Sequence, residues 1–340
     1  MPGMRPAFED VLIFCPEYLN GGCEALHQLG HQIARHGGSA HMAYYGPYSG
    51  LELDGDVLRC HLAASPVPAY FARHKPRVLH EARLGPDTLL LFPEVLSALA
   101  ATRDGRYRRA LWWLSVDNAI EQNRALLDAS YRQGVFADSG LLHFHQSDYA
   151  RAFLEANAAV RYHALSDYTD PDFIDRSSNP TQNKPISQRA NRICYFPNKG
   201  AALATRFIDG QEALRQSVEF LPIRGMTKAQ VRDALFGARL YLDFGNHPGK
   251  DRVPREAAIA GAVVLLHAVG AALCFPDHPL PAEYRFTEDD IASGDLHRKV
   301  AAILDQPEAH FAAQRMYREA ILHEQERFDL EVRSCFFSGL

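Results

Sequence analysis

Hydrophobic positions in the first half of the chain alternate between short apolar runs and stretches with helical spacing. The helical spacing is clearest at Leu26, Leu29 and Ile33, and further helices are predicted over 119–133 and 149–158. The predicted strands of this half are residues 11–16, 39–45, 88–93, 111–116, 141–145 and 162–166. Short apolar strands separated by helices are typical of a parallel sheet that is covered on both faces.

Residues 176–190 form a polar segment, and the composition of this segment predicts a linker or a long surface loop. A second half with the same alternation of strands and helices follows it. The second half has predicted strands at 192–197, 218–223, 239–244 and 262–267, with helices at 201–216, 228–237, 255–261 and from 288 onward. We therefore predict an α/β fold with two doubly wound domains, residues 1–180 and 181–320, followed by a C-terminal helix over 321–340.

Composition and charge narrow the class of protein. The 340 residues carry 36 Lys and Arg against 41 Asp and Glu, a net charge of −5 that argues against a general nucleic-acid binder. No apolar run reaches the roughly 18 to 20 residues that span a bilayer, and the N-terminal residues lack the pattern of a signal peptide. The six cysteines are scattered singly, as is typical of reduced thiols. We expect a cytoplasmic protein without a transmembrane segment.

A local basic cluster at 103–110 qualifies this expectation. Such a cluster could face anionic lipid at the inner membrane surface or an acidic acceptor. A solvated helix face is the simpler interpretation. Peripheral membrane contact therefore stays open at this point.

The loop that follows the predicted strand 239–244 carries the most informative chemistry. In open parallel sheets, ligands bind beyond the carboxyl ends of the strands, where helix amino termini point their amides. Gly245 and Gly249 allow close backbone approach there. The candidate donors in the same segment are His247, Lys250, Arg252 and Arg255. This combination predicts a site for a diphosphate or phosphodiester, whereas the alternative is a polar connection with solvated charges.

A nucleoside-triphosphatase loop is not indicated. The second glycine comes too early, and Asp251 stands where such a loop has the Ser or Thr that holds magnesium. Glu256, at the start of the next helix, either favours the helix dipole or accepts hydrogen bonds from ribose or sugar hydroxyls. Lys199 and Arg224, each after a predicted strand, either neutralise a phosphate or are simply solvated.

Candidates for acid–base chemistry lie in the first half. Asp117 follows the strand 111–116 and His145 ends the strand 141–145, so either could act as general base toward an acceptor hydroxyl. The alternative is helix capping, which Ser147 exemplifies. Glu24 is a third candidate base.

The glycine pair Gly21 and Gly22, just before Glu24, would let an acceptor or a phosphate approach the backbone, or would form a plain turn. No metal site is predicted, because His27 and His31 lack the glutamate of a zinc protease helix. The segment 54–56, Asp-Gly-Asp, is typical of a hairpin turn.

Three segments together resemble GT-B glycosyltransferases of the bacterial cell-surface polysaccharide type, which make capsule or O-antigen. They are NGGCEALHQLG at 20–30, YFPNKG at 195–200 and the long segment 226–267, which contains an E-A-x-x-x-G helix. The resemblance implies two facing Rossmann-like domains with a cleft between them. It also implies a nucleotide-sugar donor on the second domain, an acceptor mainly on the first, and a final helix that crosses back to the first domain.

The resemblance also assigns roles to single residues. Glu256 matches the glutamate expected to touch the donor ribose, and Lys199 and Arg224 match cations near the donor diphosphate. Pro248 stands where many retaining members have a glutamate, which leaves the stereochemical outcome open. The adjacent His247-Pro248 pair is similar to the pair that holds phosphate in GT-B sialyltransferases with CMP-sugar donors, so the donor nucleotide is also open.

We therefore predict a metal-independent glycosyltransferase with no tightly bound cofactor. It would move a sugar from a nucleotide-sugar to a hydroxyl of a glycan or lipid-linked acceptor, in surface polysaccharide biosynthesis. One alternative is a non-catalytic GT-B-like protein that binds a glycan or a partner, which the missing glutamate at 248 favours. Another is a sugar-nucleotide epimerase. The sequence does not define the oligomeric state.

Overall fold

The computed structural model describes residues 5–102 and 106–337, which divide into two compact units. The first unit combines the residues up to Tyr168 with those from Gln325 onward, and the second unit is Thr169–Glu324. The basic cluster at 103–110 lies partly outside the described residues. Within the described ranges, none of the helices combines the length and apolarity needed to cross a membrane.

The first unit is built around a parallel sheet. Its strands are β1 (Asp10–Pro16), β2 (Ala40–Tyr45), β3 (Gly50–Asp54), β4 (Val57–His61), β5 (Glu81–Arg83), β6 (Thr88–Pro93), β7 (Arg108–Trp113), β8 (Leu141–His145) and β9 (Tyr162–Ala164). Six of them form the parallel order β2-β1-β6-β7-β8-β9, and β3-β4-β5 form a small antiparallel sheet. The predicted turn at 54–56 joins β3 to β4, as expected of a hairpin.

Helices cover both faces of this sheet, because successive residues of a strand point to opposite sides. The helices are α1 (Gly21–Arg35), α2 (Ser97–Ala100), α3 (Val116–Gln122), α4 (Ala129–Phe136), α5 (Asp148–Ala156) and the chain's final helix, Glu324–Phe337. On β1, Ile13 packs in the cluster that contains Phe328 of the final helix. Its neighbour Phe14 packs in the opposite cluster, which contains Phe136 of α4.

The second unit repeats this plan with a smaller sheet. Its strands are β10 (Arg192–Tyr195), β11 (Glu219–Pro222), β12 (Leu240–Asp243), β13 (Val263–His267) and β14 (Arg285–Phe286), in the parallel order β11-β10-β12-β13-β14. Its helices are α6 (Pro171–Ser177), α7 (Ala201–Asp209), α8 (Glu212–Arg215), α9 (Lys228–Gly237), α10 (Arg252–Ala260), α11 (Glu288–Ala292), α12 (Asp295–Asp305), α13 (Pro307–Ala313) and α14 (Arg315–Leu322). The predicted class, α/β with two doubly wound parallel sheets, is confirmed.

Two long helices were predicted in place of shorter ones. The stretch 119–133 is interrupted at Asn123, whose backbone is non-helical (φ −121°, ψ 83°) and whose amide donates to Ser97 Oγ at 2.9 Å. The stretch 201–216 ends as α7 at Asp209 and resumes as α8 at Glu212. In both cases apolar spacing continues across a break that local polar contacts or glycine create.

The segment 176–190, predicted to be a linker or a long surface loop, is mostly exposed and belongs to the second unit. Arg189 is buried, and its guanidinium donates to the carbonyls of Ala238 at 3.0 Å and Ala260 at 2.7 Å and to Asn183 Oδ1 at 2.7 Å. Within this largely exposed segment, Arg189 is the charged side chain that satisfies buried carbonyl groups of the second unit.

Gly200, just before α7, provides a test of the backbone packing. It has φ +71°, and a Cβ there would lie 1.8 Å from the carbonyl oxygen of Phe244. We expect Gly200→Ala to lower the free energy of unfolding by more than the roughly 1–3 kcal/mol of a left-handed backbone alone. Urea unfolding followed by circular dichroism measures this.

The matched control is Gly225→Ala. Gly225 has a similar φ of +63°, but among the described residues a Cβ there would meet open space within 4 Å. Equal stability losses in the two variants would contradict the close approach of Gly200 to Phe244.

Candidate functional site

The candidate site lies at the carboxyl edge of the second sheet, where the loops after β10 and β12 meet. Lys199, after β10, places its Nζ 2.7 Å from Oδ1 of Asp251, which precedes α10. Gly245 lies against the same lysine, since a Cβ on Gly245 would be 3.2 Å from Cβ of Lys199. The sheet order explains this proximity, because β10 and β12 are hydrogen-bonded neighbours.

The loop after β12 has a strained backbone at His247, a non-glycine residue with φ +43°. The segment after β13 holds this conformation, because the amide of Ala271 donates to the His247 carbonyl at 2.8 Å. Gly270 permits the approach, since a Cβ there would lie 2.3 Å from that carbonyl oxygen. Such backbone strain is concentrated at functional sites.

His247 is enclosed between two carboxylates. Its Nδ1 lies 3.3 Å from Asp251 Oδ2 and its Nε2 lies 3.7 Å from Asp243 Oδ1, and the side chain is fully buried. Neither ring nitrogen has hydrogen-bond geometry to any described residue. Asp243 is held in place, because its carboxylate accepts from the Tyr241 hydroxyl at 2.9 Å and from the Gly245 amide at 2.8 Å.

These contacts shift the pKa values of the loop. Burial alone would lower the pKa of His247, but the charges of Asp243 and Asp251 outweigh it and raise that pKa. Burial would likewise raise the pKa of Asp251, but His247 and Lys199 outweigh it and lower that pKa. The loop therefore favours an imidazolium and a lysine ammonium that share one carboxylate.

Two other predicted cations, Lys250 and Arg255, bind Glu324. Lys250 Nζ lies 3.0 Å from Oε1 of this glutamate, and Arg255 donates to Oε2 at 2.9 Å. The hydroxyl and the amide of Thr169 also donate to Oε2, each at 2.9 Å. Lys250, Arg255 and Glu324 are all buried. The Glu324 carboxylate therefore fixes the first turn of α10 to the rest of the second unit.

The remaining residues of the predicted donor site differ in burial and in their position along the sheet. Arg252 and Glu256 are buried in the first two turns of α10, with Glu256 Oε1 3.8 Å from Lys228 Nζ. Gly249 is buried within the loop. Arg224 follows β11 and is exposed, one strand further from β12 than Lys199.

The amino end of α10 begins at an aspartate whose side chain does not cap the helix. Asp251 is its N-cap residue, a position where aspartate commonly accepts from first-turn amides, but here its carboxylate binds Lys199 instead. Pro254, in this first turn, has no amide hydrogen and therefore needs no acceptor there. Helix amino ends with free amides favour negative charge.

In the first unit, Asp117 and His145 lie at the ends of the neighbouring strands β7 and β8. Asp117 accepts from the Tyr149 hydroxyl at 2.9 Å, and burial raises its pKa against the effect of that bond. His145 Nδ1 lies 3.3 Å from the Ser147 carbonyl, and burial lowers its pKa. Ser147 caps α5 by accepting from the Ala150 amide at 3.1 Å, as predicted.

Glu24 has a different environment. It is fully buried on α1 and accepts from Tyr70 at 2.9 Å and from Arg73 at 3.1 Å. Gly21 is the first residue of α1. A Cβ on Gly22 would make only ordinary contacts of 3.5 Å and longer, so packing does not require glycine there.

His27 is also a packing residue, because Nε2 lies 2.7 Å from the Tyr44 hydroxyl and Nδ1 lies 2.6 Å from the Cys23 carbonyl. Across the part of the chain that the structure describes, no group of three or more His, Cys, Asp or Glu side chains is arranged to hold a metal ion.

Sequence reasoning missed Glu94, which directly follows β6. Glu94 is buried, its Oε2 accepts from the Leu114 amide at 3.2 Å, and burial raises its pKa to about 8. It also missed Asp243, Asp251 and Glu324 as partners of the donor loop. A carboxylate at the end of an apolar strand was the available signal for Glu94, which follows β6, and for Asp243, the last residue of β12. The pairing of Glu324 with Lys250 spans more than 70 residues and leaves no such signal.

The chain is similar to several solved structures over nearly its whole length. The protein is similar to the sucrose-phosphate synthase of Thermosynechococcus elongatus, at 14% identity over 96% of this chain and 98% of that chain, with a TM-score of 0.56. It is similar to HepE of Anabaena in complex with UDP-glucose, at 12% identity over 96% and 97%, with a TM-score of 0.59. A UDP-forming α,α-trehalose-phosphate synthase from Burkholderia xenovorans is 12% identical over 96% and 99%, with a TM-score of 0.52.

These likenesses confirm the predicted fold, which is that of the GT-B glycosyltransferases. The sequence itself matches no protein-family model and no curated protein. Identities this low carry the fold alone, so the chemistry of the chain has to be argued from its own residues.

The Glu324 network predicts a large effect on stability. Glu324→Ala would leave the buried Lys250 and Arg255 without their carboxylate, and breaking such a pair costs about 3–5 kcal/mol. Chemical unfolding measures the loss. The control is Glu319→Ala, an exposed partner of Arg315, for which at most about 1 kcal/mol is expected. Similar losses for both variants would contradict the role given to Glu324.

His247 predicts a pH dependence of stability. Because its pKa is raised in the folded protein, its contribution is fully present below the unfolded pKa of about 6.5 and is lost as pH rises through the folded value. We expect the stability advantage of the wild type over His247→Gln to shrink between pH 6 and pH 9. Melting temperatures of both proteins across this range measure it, and an advantage that grows with pH would contradict the carboxylate pairing.

Proposed function

We propose that this protein transfers a sugar from a nucleotide-sugar donor to an acceptor hydroxyl, with the donor diphosphate at the amino end of α10. One observation carries the proposal. Lys199, the buried His247 and the amino end of α10 converge at the carboxyl edge of the second sheet, where ligands of open parallel sheets bind. The solved structures of the same fold include HepE with UDP and with UDP-glucose, which supports a uridine diphosphate donor.

The residues at this edge suit the departure of a nucleoside diphosphate. Negative charge develops on the diphosphate as the bond to the sugar breaks, and fixed positive groups stabilise that charge. In this chain the Lys199 ammonium, the His247 imidazolium and the α10 amides would supply the positive field in place of a metal ion. Glu256, buried one turn into α10, is the proposed partner of the donor ribose. For Arg224 and Lys250 to contact the diphosphate, as predicted, each would have to move from its present position.

The acceptor is proposed to bind at the carboxyl edge of the first sheet. Asp117 and His145 are the candidates for the group that accepts the acceptor proton, and the burial of Glu24 with Arg73 makes it a weaker candidate. Tyr18, Leu19 and Tyr48 are more than half exposed on the loops after β1 and β2. Aromatic rings with a polar tip suit sugar or lipid-linked acceptors.

The proposal also covers the type of acceptor and the biosynthetic role. The resemblance to cell-surface polysaccharide enzymes supports a glycan or lipid-linked acceptor in capsule or O-antigen synthesis on the cytoplasmic side of the membrane. A second candidate is a non-catalytic binding protein. The observation that favours it is that Lys199 and Lys250 already have carboxylate partners, Asp251 and Glu324.

Ligand binding and turnover test the proposal together. We expect UDP or UDP-glucose to raise the melting temperature without added metal, since a ligand at 100 times its dissociation constant stabilises by about 2.7 kcal/mol. CMP, GDP, ADP and dTDP and their sugars complete the panel. We expect Lys199→Met to weaken the binding of the active nucleotide by about tenfold, the loss of one charge-assisted contact.

The control for Lys199 is Arg192→Met. Arg192 lies at the amino end of the same strand, β10, where it pairs with Glu219, so donor affinity should not change. UDP release that depends on an added glycan or lipid-linked acceptor would support transfer. Nucleotide binding without any turnover would favour the non-catalytic protein, and equal affinities of the two variants would contradict the diphosphate site.

A further inference from the structure

Asp251 occupies the place where an incoming phosphate would have to bind. Its Oδ1 is 2.7 Å from Lys199 Nζ and its Oδ2 is 3.3 Å from His247 Nδ1. These are the two positive side chains that the proposed function assigns to the donor diphosphate. A carboxylate and a phosphate oxygen seek the same partners at the same distances.

The position of Asp251 in the helix makes this arrangement unusual. As N-cap residue of α10, it has first-turn amides within reach of its own backbone position, yet its carboxylate binds the neighbouring loop. His247 is fully buried beside it, and its ring nitrogens lack hydrogen-bond geometry to any described residue. The site therefore has polar groups whose hydrogen-bonding capacity is not used in this state.

The side chain of Asp251 is accessible to a ligand that could displace it. Its side chain is 20% exposed and that of Lys199 is 35% exposed, so water and a ligand can reach the ion pair. Asp243, in contrast, is fixed by Tyr241 and Gly245 and stays beside His247. The negative charge that a ligand could displace is therefore that of Asp251 rather than that of Asp243.

We propose that Asp251 is a resident anion that competes with the donor diphosphate for Lys199 and His247, and that it limits the affinity of the site. Ligand binding moves the Asp251 carboxylate away from both cations, and the diphosphate takes its place. The vacated carboxylate is then free to turn to the α10 amides or to solvent. This inference rests on the proposed function, since it concerns the same site.

The test uses the full chain and two probes, inorganic pyrophosphate and UDP, measured by calorimetric titration. Asp251→Asn keeps the shape of the side chain and removes its charge, so we expect it to bind both probes about tenfold more tightly than the wild type. Pyrophosphate has no nucleobase, so its binding does not depend on which nucleobase the site prefers. Weaker or unchanged binding by Asp251→Asn would overturn the inference.

Glu219→Gln is the matched control. It removes one negative charge from the same unit at the opposite edge of the sheet, where Glu219 pairs with Arg192. Its affinity for both probes should equal that of the wild type. An equal gain in both variants would indicate a general charge effect and would also overturn the inference.

A double-mutant comparison keeps the inference testable if Asp251→Asn is poorly folded. Lys199→Met should weaken pyrophosphate binding more in the Asp251→Asn background than in the wild type, because the lysine no longer shares its charge. If that background does not fold, the imidazole resonances of wild-type His247 provide the readout. They should shift on saturation with pyrophosphate, and no shift despite measured binding would count against displacement.

These outcomes separate the inference from the proposed function. If neither the wild type nor Asp251→Asn binds UDP, pyrophosphate or any other nucleotide, the proposed function fails and the inference fails with it. If the wild type binds UDP and Asp251→Asn binds no better, the inference alone fails.

Discussion

Each parallel sheet is buried on both faces, and this burial determines where polar groups can lie along the strands. Strands enclosed by helices on both sides have room for apolar side chains along their length, so polar groups collect where the strands end. Asp243 is the last residue of β12, Glu94 directly follows β6, and Asp117 lies in the first turn of α3, which follows β7. The polar groups at the strand ends therefore inherit their spacing from the strand order.

Within those loops, charge is balanced locally rather than concentrated. Lys199 and His247 share Asp251, while Lys250 and Arg255 share Glu324. The Lys199–Asp251 ion pair is partly exposed, whereas His247, Lys250, Arg255 and Glu324 are buried. The buried charges hold the first turn of α10 in position, whereas water reaches the Lys199–Asp251 pair at the helix end.

The sequence predicted the fold class well and the site only in part. Apolar periodicity located β1, β8 and α9 closely, because each combines a clear period with polar ends. It could not predict the break at Asn123 or the packing of Arg189, which depend on contacts with residues far along the chain. For the same reason it listed the cations around α10 but could not show that Lys199, Lys250 and Arg255 already pair with carboxylates.

The strained loop at His247 is not held in shape by its own residues alone. Its conformation depends on Gly270 and on the amide of Ala271, which belong to the segment after the next strand. A graft of residues 244–251 into another scaffold would therefore carry the functional side chains without the support that shapes them. The smallest portable version of the site is two successive strand–loop units, and recombination within this fold should exchange them together.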